Sequence, residues 1–259
     1  MEETLLIEKS GYTKILKLNR TNQANSLSLS LLDALHKEVD ELSTDKTVRS
    51  VIITGVGSSY FCSGADLKER RDMSIEQVEE TVGKIGMLFY KIEKLPMPVI
   101  AAVNGIALGG GFELALACDI RVAQHNAIFG LPETSLGIIP GAGGTQRLAR
   151  LIGIGKAKEL IYTGRKIDSD EAEELGIIER LTNSEDALNV ALSICEVINQ
   201  NGPLAIRAAK SAIQDGYSVS IEEGLSFENE AYGSILHTND RLEGLQAFKE
   251  KRKPQYKGV

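Results

Sequence analysis

The chain reads as an α/β protein with a helical C-terminal portion. Three observations predict this: short β-branched runs that end at glycine-rich loops, amphipathic stretches between those runs, and helical spacing that dominates from about residue 145 onward. Residues 5–18, LLIEKSGYTKILKL, predict two strands joined by a turn at Gly11. Leu31, Leu32, Leu35, Val39 and Leu42 fall at helical spacing after Ser28 and Ser30, either of which suits the cap. Val48–Thr54 is a buried-strand run closed by Gly55, residues 74–93 read as a helix, and Pro98–Val103 as another buried strand. Strand signals recur over 120–129, ahead of the turn-rich LPETSLGIIPGAGG. Gly202-Pro203 marks the expected boundary between a core of residues 1–201, which holds the site, and a helical region of 202–259.

Composition narrows the function. With 259 residues, 42% hydrophobic and 25% charged, the chain is an ordinary globular one, long enough to bury a sizeable core. A formal charge of −7 disfavours a general role on nucleic acid or an anionic membrane surface, and no apolar run reaches membrane-span length. The N-terminal MEETLLIEKS is acidic and lacks a basic-then-apolar leader, so no secretion signal is expected. Cys62, Cys118 and Cys195 form no C-x-x-C pair and suit reduced thiols in a cytoplasmic setting.

The most informative stretch is NGIALGGGFELALACD, residues 104–119. Three consecutive glycines let a ligand approach bare backbone, and the following helix turns unpaired N–H groups toward developing negative charge. Glu113 in its first turn is either a dipole complement or an acid/base beside an oxyanion site. A second stretch, FGLPETSLGIIPGAGGTQRL (129–148), carries Glu133 directly after Pro132; a third, FCSGADLKERR (61–71), puts Gly64 in a tight loop. Each has a plain structural explanation by itself. Together, as loops at strand ends, they predict one cleft with two carboxylates and two sets of backbone donors, suited to moving protons while a carbonyl oxygen gains charge.

FCSGADLKE, NGIALGGGFELALACDIRVA and FGLPETSLGIIPGAGGTQRL resemble the defining segments of the crotonase (enoyl-CoA hydratase/isomerase) superfamily. The resemblance continues through TGRKIDSDEAEELGIIERL and the tail RLEGLQAFKEKRKPQYKG. It implies a spiral of ββα units with a helical C-terminal trimerisation region, homotrimers or homohexamers, and an acyl-CoA thioester substrate. Carried across position by position, it implies an oxyanion hole from the N–H groups of Ala65 and Gly110, catalytic roles for Glu113 and Glu133, and a water-positioning amide at Gly141. It implies coenzyme A contacts at Gln23, Ala24, Ala65, Asp66, Leu67 and Lys68, and, from a neighbouring subunit, at Phe248 and Lys251. No metal and no separate cofactor are expected, because coenzyme A belongs to the substrate.

Some local readings stay open. Lys68, Arg70 and Arg71 suit either a phosphate contact or a solvated helix face. The cations from Lys249 to Lys257 suit either the coenzyme or the end of a helix that opens with an Asp240–Glu243 capping pair. In LNRTNQANSLS, Thr21 stands where the family has proline, and Asn22 where some hydratases carry a phosphate-facing lysine, which removes one expected charge contact.

Other chemistries find little. Gly55-Val-Gly57 and Gly153-Ile-Gly155 complete no nucleotide fingerprint, and no G-x-S-x-G elbow occurs. His36, His125 and His237 lack metal spacing, and Cys62 beside Phe61 reads as a packed thiol. The absence of Trp and the 5% aromatic content argue against sugar chemistry. Two retained glutamates favour hydration of a 2-enoyl-CoA. The runs ADLKERRDMS and ELALACDIRVA and the closing tail resemble the methylglutaconyl-CoA hydratase branch, for which no acyl-pocket cation can be assigned from sequence. A relative in that branch is also named for binding RNA; the helix over 30–46 carries Glu38, Asp40 and Glu41 and forms no basic stripe, so nucleic acid is an improbable partner. A catalytically silent scaffold does not fit two intact glutamates.

Overall fold

The computed structural model describes residues 3–182 and 186–259. Strands β1 (Leu5–Ser10) and β2 (Thr13–Leu18) form the antiparallel hairpin turned at Gly11, whose φ is +58°. Helix α1 (Leu29–Thr44) starts where the Ser28 hydroxyl accepts from the Leu31 N–H, which settles the cap in favour of Ser28. Its predicted apolar positions, Leu31 to Leu42, are all buried.

Three strand–strand–helix turns follow. The first comprises β3 (Ser50–Gly55), β4 (Tyr60–Cys62), α2 (Leu67–Arg71) and α3 (Ile75–Glu93), the last closed by a Ser74/Gln77 capping box. The second comprises β5 (Val99–Val103), β6 (Ile106–Leu108) and α4 (Gly110–Leu116). The third comprises β7 (Ile120–Gln124) and β8 (Ile128–Gly130), then a 3-10 turn at Pro132–Leu136, α5 (Gly144–Ile152) and α6 (Ile154–Thr163). Each turn contributes its first strand to one sheet, in the order β1-β2-β3-β5-β7, and its second to another, in the order β4-β6-β8. This is the ββα spiral the resemblance implies.

Helix dominates beyond residue 145, as the spacing predicts, and among the described residues two short strands interrupt it. β9 (Ile167–Asp168) pairs antiparallel with β8, and, after α7 (Ser169–Glu174), β10 (Arg180–Thr182) pairs parallel with β7. Strands of two and three residues are too short to show alternation, so pairing to an existing edge defines them.

Period-2 geometry explains the core. In β3, Val51 and Ile53 enter the main cluster while Ile52 faces the other way; in β5, Val99, Ala101 and Val103 oppose Ile100 and Ala102. The second face is covered by α8 (Ala187–Asn199) through Ala187, Ala191 and Cys195, so both strands are buried on both sides and read as continuous apolar runs. Gly202 then caps α9 (Pro203–Gly216), followed by α10 (Ile221–Ile235) and α11 (Asn239–Glu250). α9 is tied to the core: Arg207 donates to the carbonyls of Asp45 and Val48, and Lys210 pairs with Asp119 at 2.7 Å. The Asp240–Glu243 capping pair does not form. Thr238 caps α11, while Asp240 accepts from the amides of Lys257 and Gly258, and Glu243 from Arg252 and Gln255; the carboxylates hold the tail instead. Among the described residues no helix is long and apolar enough to cross a membrane.

Candidate active site

The three loops converge. A cavity of about 820 Å³ is lined by Gly64, Ala65 and Leu67 from the first, Gly109, Gly110 and Glu113 from the second, and Glu133 and Gly141 from the third. Its volume suits a small-molecule ligand. Val78, Val82 and Ile85 of α3 and Leu136, Ile138 and Ile139 give it an apolar wall.

Main-chain donors lie at its floor. Leu27 makes a parallel bridge with Ala65, using the Gly64 carbonyl and the Asp66 N–H, which leaves the Ala65 N–H outside the pairing. Gly110 is the first residue of α4, where no intrahelical acceptor exists. Among the described residues neither amide has a backbone acceptor. The two are close: a Cβ placed on Gly110 would lie 3.7 Å from the Ala65 nitrogen, and one on Gly64 would lie 3.1 Å from the Gly110 nitrogen. Gly64 itself sits at φ +92°, so bare backbone is required on both counts.

The two glutamates differ in environment. Glu113 is 3% exposed, and its Oε1 accepts from the amides of Ala142 at 2.9 Å and Gly144 at 2.8 Å. Burial pushes its pKa above the ordinary carboxylate value, opposed by those two amides and by the positive charges of Arg147 and Arg70. Glu133 lies in the 3-10 turn against the start of α4, where a Cβ on Gly109 would meet its Oε1 at 3.0 Å. Its Oε2 is buried without a hydrogen-bond partner among the described residues. Burial, reinforced by the charge of Glu113, pushes the Glu133 pKa up to about 7. Glu133 therefore titrates near neutrality, while the two amides on Glu113 favour its ionised form against the effect of burial.

These features match known proteins along the whole chain. A family model described as enoyl-CoA hydratase/isomerase matches residues 8–259. The chain belongs to the enoyl-CoA hydratase/isomerase family. The methylglutaconyl-CoA hydratase of Rattus norvegicus is 50% identical over 257 residues, covering 98% of this chain and 82% of that one. The short-chain-enoyl-CoA hydratase of Clostridium acetobutylicum is 42% identical over 250 residues, covering 96% and 95%. A crystal structure of the enoyl-CoA hydratase from Bacillus anthracis superposes with a TM-score of 0.97 at 52% identity, covering 99% of this chain and all of that one.

As a member of the enoyl-CoA hydratase/isomerase family the chain is an enzyme, and several supports of its cavity were not read from the sequence. The amides of Ala142 and Gly144 carry no side-chain signal. Arg147 donates to Glu93 and to the Ala142 carbonyl at 3.0 Å, fixing the loop whose amide holds Glu113. Phe112, beside Glu113, packs on Phe129 of β8 with ring centroids 5.3 Å apart.

The residues expected at coenzyme A divide. Ala65 and Leu67 line the cavity; Gln23, Ala24, Asp66, Lys68, Phe248 and Lys251 do not. The Ala24 carbonyl accepts from Ser63 N–H at 3.1 Å, bracing the loop from outside. The Asp66 carboxylate is committed to Arg20 at 2.9 Å and to the α2 amides of Lys68 and Glu69. Lys68 is exposed on α2, and Phe248, 88% exposed, lies on α11 ahead of Lys251 at its C-cap. Cys62 is buried and its thiol pushed up to about 12 by desolvation, which fits a packed thiol. Among the described residues no group of three His, Cys, Asp or Glu side chains is placed to hold a metal ion.

Proposed function

We propose that the enzyme adds water across the 2,3 double bond of a 2-enoyl-CoA thioester to give a 3-hydroxyacyl-CoA. The observation that carries this reading is one cavity that brings together an amide-held Glu113, a Glu133 whose Oε2 is buried without a partner among the described residues, and two free amides. Conjugate addition builds enolate charge on the thioester oxygen. The Ala65 and Gly110 amides would receive it, a preorganised donor of this kind being worth about 3–4 kcal/mol in the transition state. Glu113, ionised, orients the water and takes its proton as oxygen attacks C3. Glu133, protonated, delivers a proton to C2. The Gly141 amide would help hold the water. The sequence needs neither metal nor redox partner, and coenzyme A arrives with the acyl group.

Coenzyme A would run along the 23–24 and 65–68 segments, with Phe248 and Lys251 supplied by a neighbouring copy. Exposed apolar side chains on the C-terminal helices, among them Ile213, Ile221 and Leu225, support a trimer or a hexamer. Three buried free thiols support a reducing, cytoplasmic setting. On α1, Glu38 is buried against Lys14, Asp33 and Asp40 pair with Lys84 and Lys91, and Glu41 is exposed, so this helix presents no basic stripe and nucleic acid is no part of this reading.

The test is turnover of crotonyl-CoA and 3-methylglutaconyl-CoA, followed by loss of enoyl-thioester absorbance and by the mass of the hydrated product. Hydration of neither would overturn the reading. The second substrate has specific support in the 50% identity to the rat methylglutaconyl-CoA hydratase.

A further inference from the structure

The sequence left one question without a residue: what in the acyl pocket would receive a second carboxylate. Arg70, the penultimate residue of α2, lines the same cavity as Glu113 and Glu133. Its neighbours on α2 are committed or outward: Lys68 is exposed, and Arg71 is exposed and pairs with Asp72 at 3.2 Å. Arg70 makes no ion pair and no side-chain hydrogen bond among the described residues, and its Nε is buried without a partner. A guanidinium carries five donors in a rigid fork and cannot shed its proton, so leaving it unpartnered beside apolar walls is costly. Elsewhere in the fold Arg20, Arg121 and Arg147 each have a carboxylate partner, Asp66, Glu179 and Glu93, and Arg207, whose Nε is also unpaired among the described residues, donates to the carbonyls of Asp45 and Val48.

The charges around Arg70 restrict what completes it. Glu113 spends Oε1 on two amides, and Glu133 is turned toward Gly109. Glu79 also borders the cavity, but it is exposed and its charge is solvated. Arg70 lines one cavity with Glu113 and Glu133, and its charge acts on both carboxylates. Among the described residues, the wall opposite these charges is formed largely by Val78, Val82, Ile85, Leu136, Ile138 and Ile139.

We infer that Arg70 is a specificity-determining residue that binds a carboxylate at the far end of the acyl chain, so that the preferred substrates are enoyl-CoA thioesters of dicarboxylic acids. The inference rests on the proposed hydratase reading and names its substrate class. A planar acyl carboxylate would accept two parallel N–H bonds from the guanidinium, and a methyl group in its place would leave the guanidinium unpaired. Discrimination between a carboxylate and a methyl of similar size then follows from the site's own unmet donors.

The experiment compares glutaconyl-CoA with 2-pentenoyl-CoA, which share chain length and differ in a terminal carboxylate against a methyl. It uses the wild-type enzyme, Arg70→Gln and Arg70→Lys. The wild type is expected to favour glutaconyl-CoA in kcat/KM. Arg70→Gln should lower that preference about 100-fold, the order expected when a buried carboxylate loses its charged partner. Arg70→Lys should restore part of it, because the charge returns without the fork. Equal losses on both substrates would overturn the inference, since Arg70 would then serve the glutamates, the coenzyme or the fold. A wild type that hydrates 2-pentenoyl-CoA and ignores glutaconyl-CoA would also overturn it, while leaving the hydratase reading intact. A wild type that hydrates neither removes the hydratase reading itself.

Discussion

The Phe112 ring meets the Phe129 ring at 5.3 Å with planes 58° apart, joining the helix that carries Glu113 to the strand that leads into Glu133. Both rings are fully buried. The two carboxylates come from different turns of the spiral, and this contact adds to the β5–β7 and β6–β8 ladders that join those turns. Tilted aromatic pairs contribute about 0.5–1.5 kcal/mol beyond the area they bury.

Phe129→Ala tests that coupling. The cavity left should cost about 3–5 kcal/mol of stability, read as a lowered denaturant midpoint. Activity of the folded fraction should fall at least about 10-fold, in kcat more than in KM, because small misplacements of reacting groups are expensive. A variant that loses the stability but keeps wild-type kcat would show that the glutamates are positioned independently of the rings.

Glu133→Gln removes the proposed proton donor while keeping its shape. Hydration should fall by several orders of magnitude, with affinity for the product thioester little changed in a direct binding measurement. The same variant reports on stability. Because burial raises the Glu133 pKa in the folded state to about 7, the protonated form favours folding, and that contribution is lost as pH rises through about 7. Glu133→Gln should therefore be more stable than wild type at pH 8, by about 1–2 kcal/mol after discounting for the group's partial solvation. The gap should close below the ordinary glutamate value of about 4.3. Equal melting temperatures at pH 8 would contradict a buried, unpartnered Oε2.

The pH profile follows from the same pair. In the proposed mechanism addition needs Glu113 ionised and Glu133 protonated, and the reverse elimination starts with the proton on the other member. Both directions thus require one proton on the pair, and kcat/KM should be bell-shaped in each. The acid limb lies above the ordinary glutamate range because burial raises Glu113, and the alkaline limb falls near 7, where Glu133 ionises. A profile that keeps rising well past that pH would remove Glu133 as the acid.

Much of this was legible in the residues. The apolar spacing from Leu31 to Leu42 and the hydroxyl at Ser28 gave α1 its face and its start, because local hydrogen bonding and periodicity both act within one turn. Glu113 and Glu133 stood out because their flanking glycines and proline form long ordered motifs. Tertiary partners were not legible. The Asp66 carboxylate is occupied by Arg20, 46 positions away in the chain, and by the α2 amides. Arg70 sits in a run of cations, and only the direction of a short helix separates it from exposed Lys68 and Arg71. β4 and β6, three residues each, are defined by their partners in the second sheet.

Gly64 sets the spacing of the two free amides, and its substitution separates backbone geometry from side-chain chemistry. At φ +92° an alanine is strained, and its Cβ would stand 2.8 Å from the Leu108 carbonyl oxygen and 3.1 Å from the Gly110 nitrogen. Neither neighbour is a flexible side chain, so the 63–65 loop and the start of α4 must separate. Gly64→Ala should cost about 1–3 kcal/mol of stability and lower kcat about 100-fold or more, the order seen when one oxyanion donor is lost. Gly11→Ala is the control: it meets the same left-handed penalty at φ +58° with nothing within 4 Å of its Cβ. That variant should lose stability and keep full turnover. If the two substitutions reduced kcat alike, the loss would belong to general strain, and the Ala65–Gly110 pair would no longer account for catalysis.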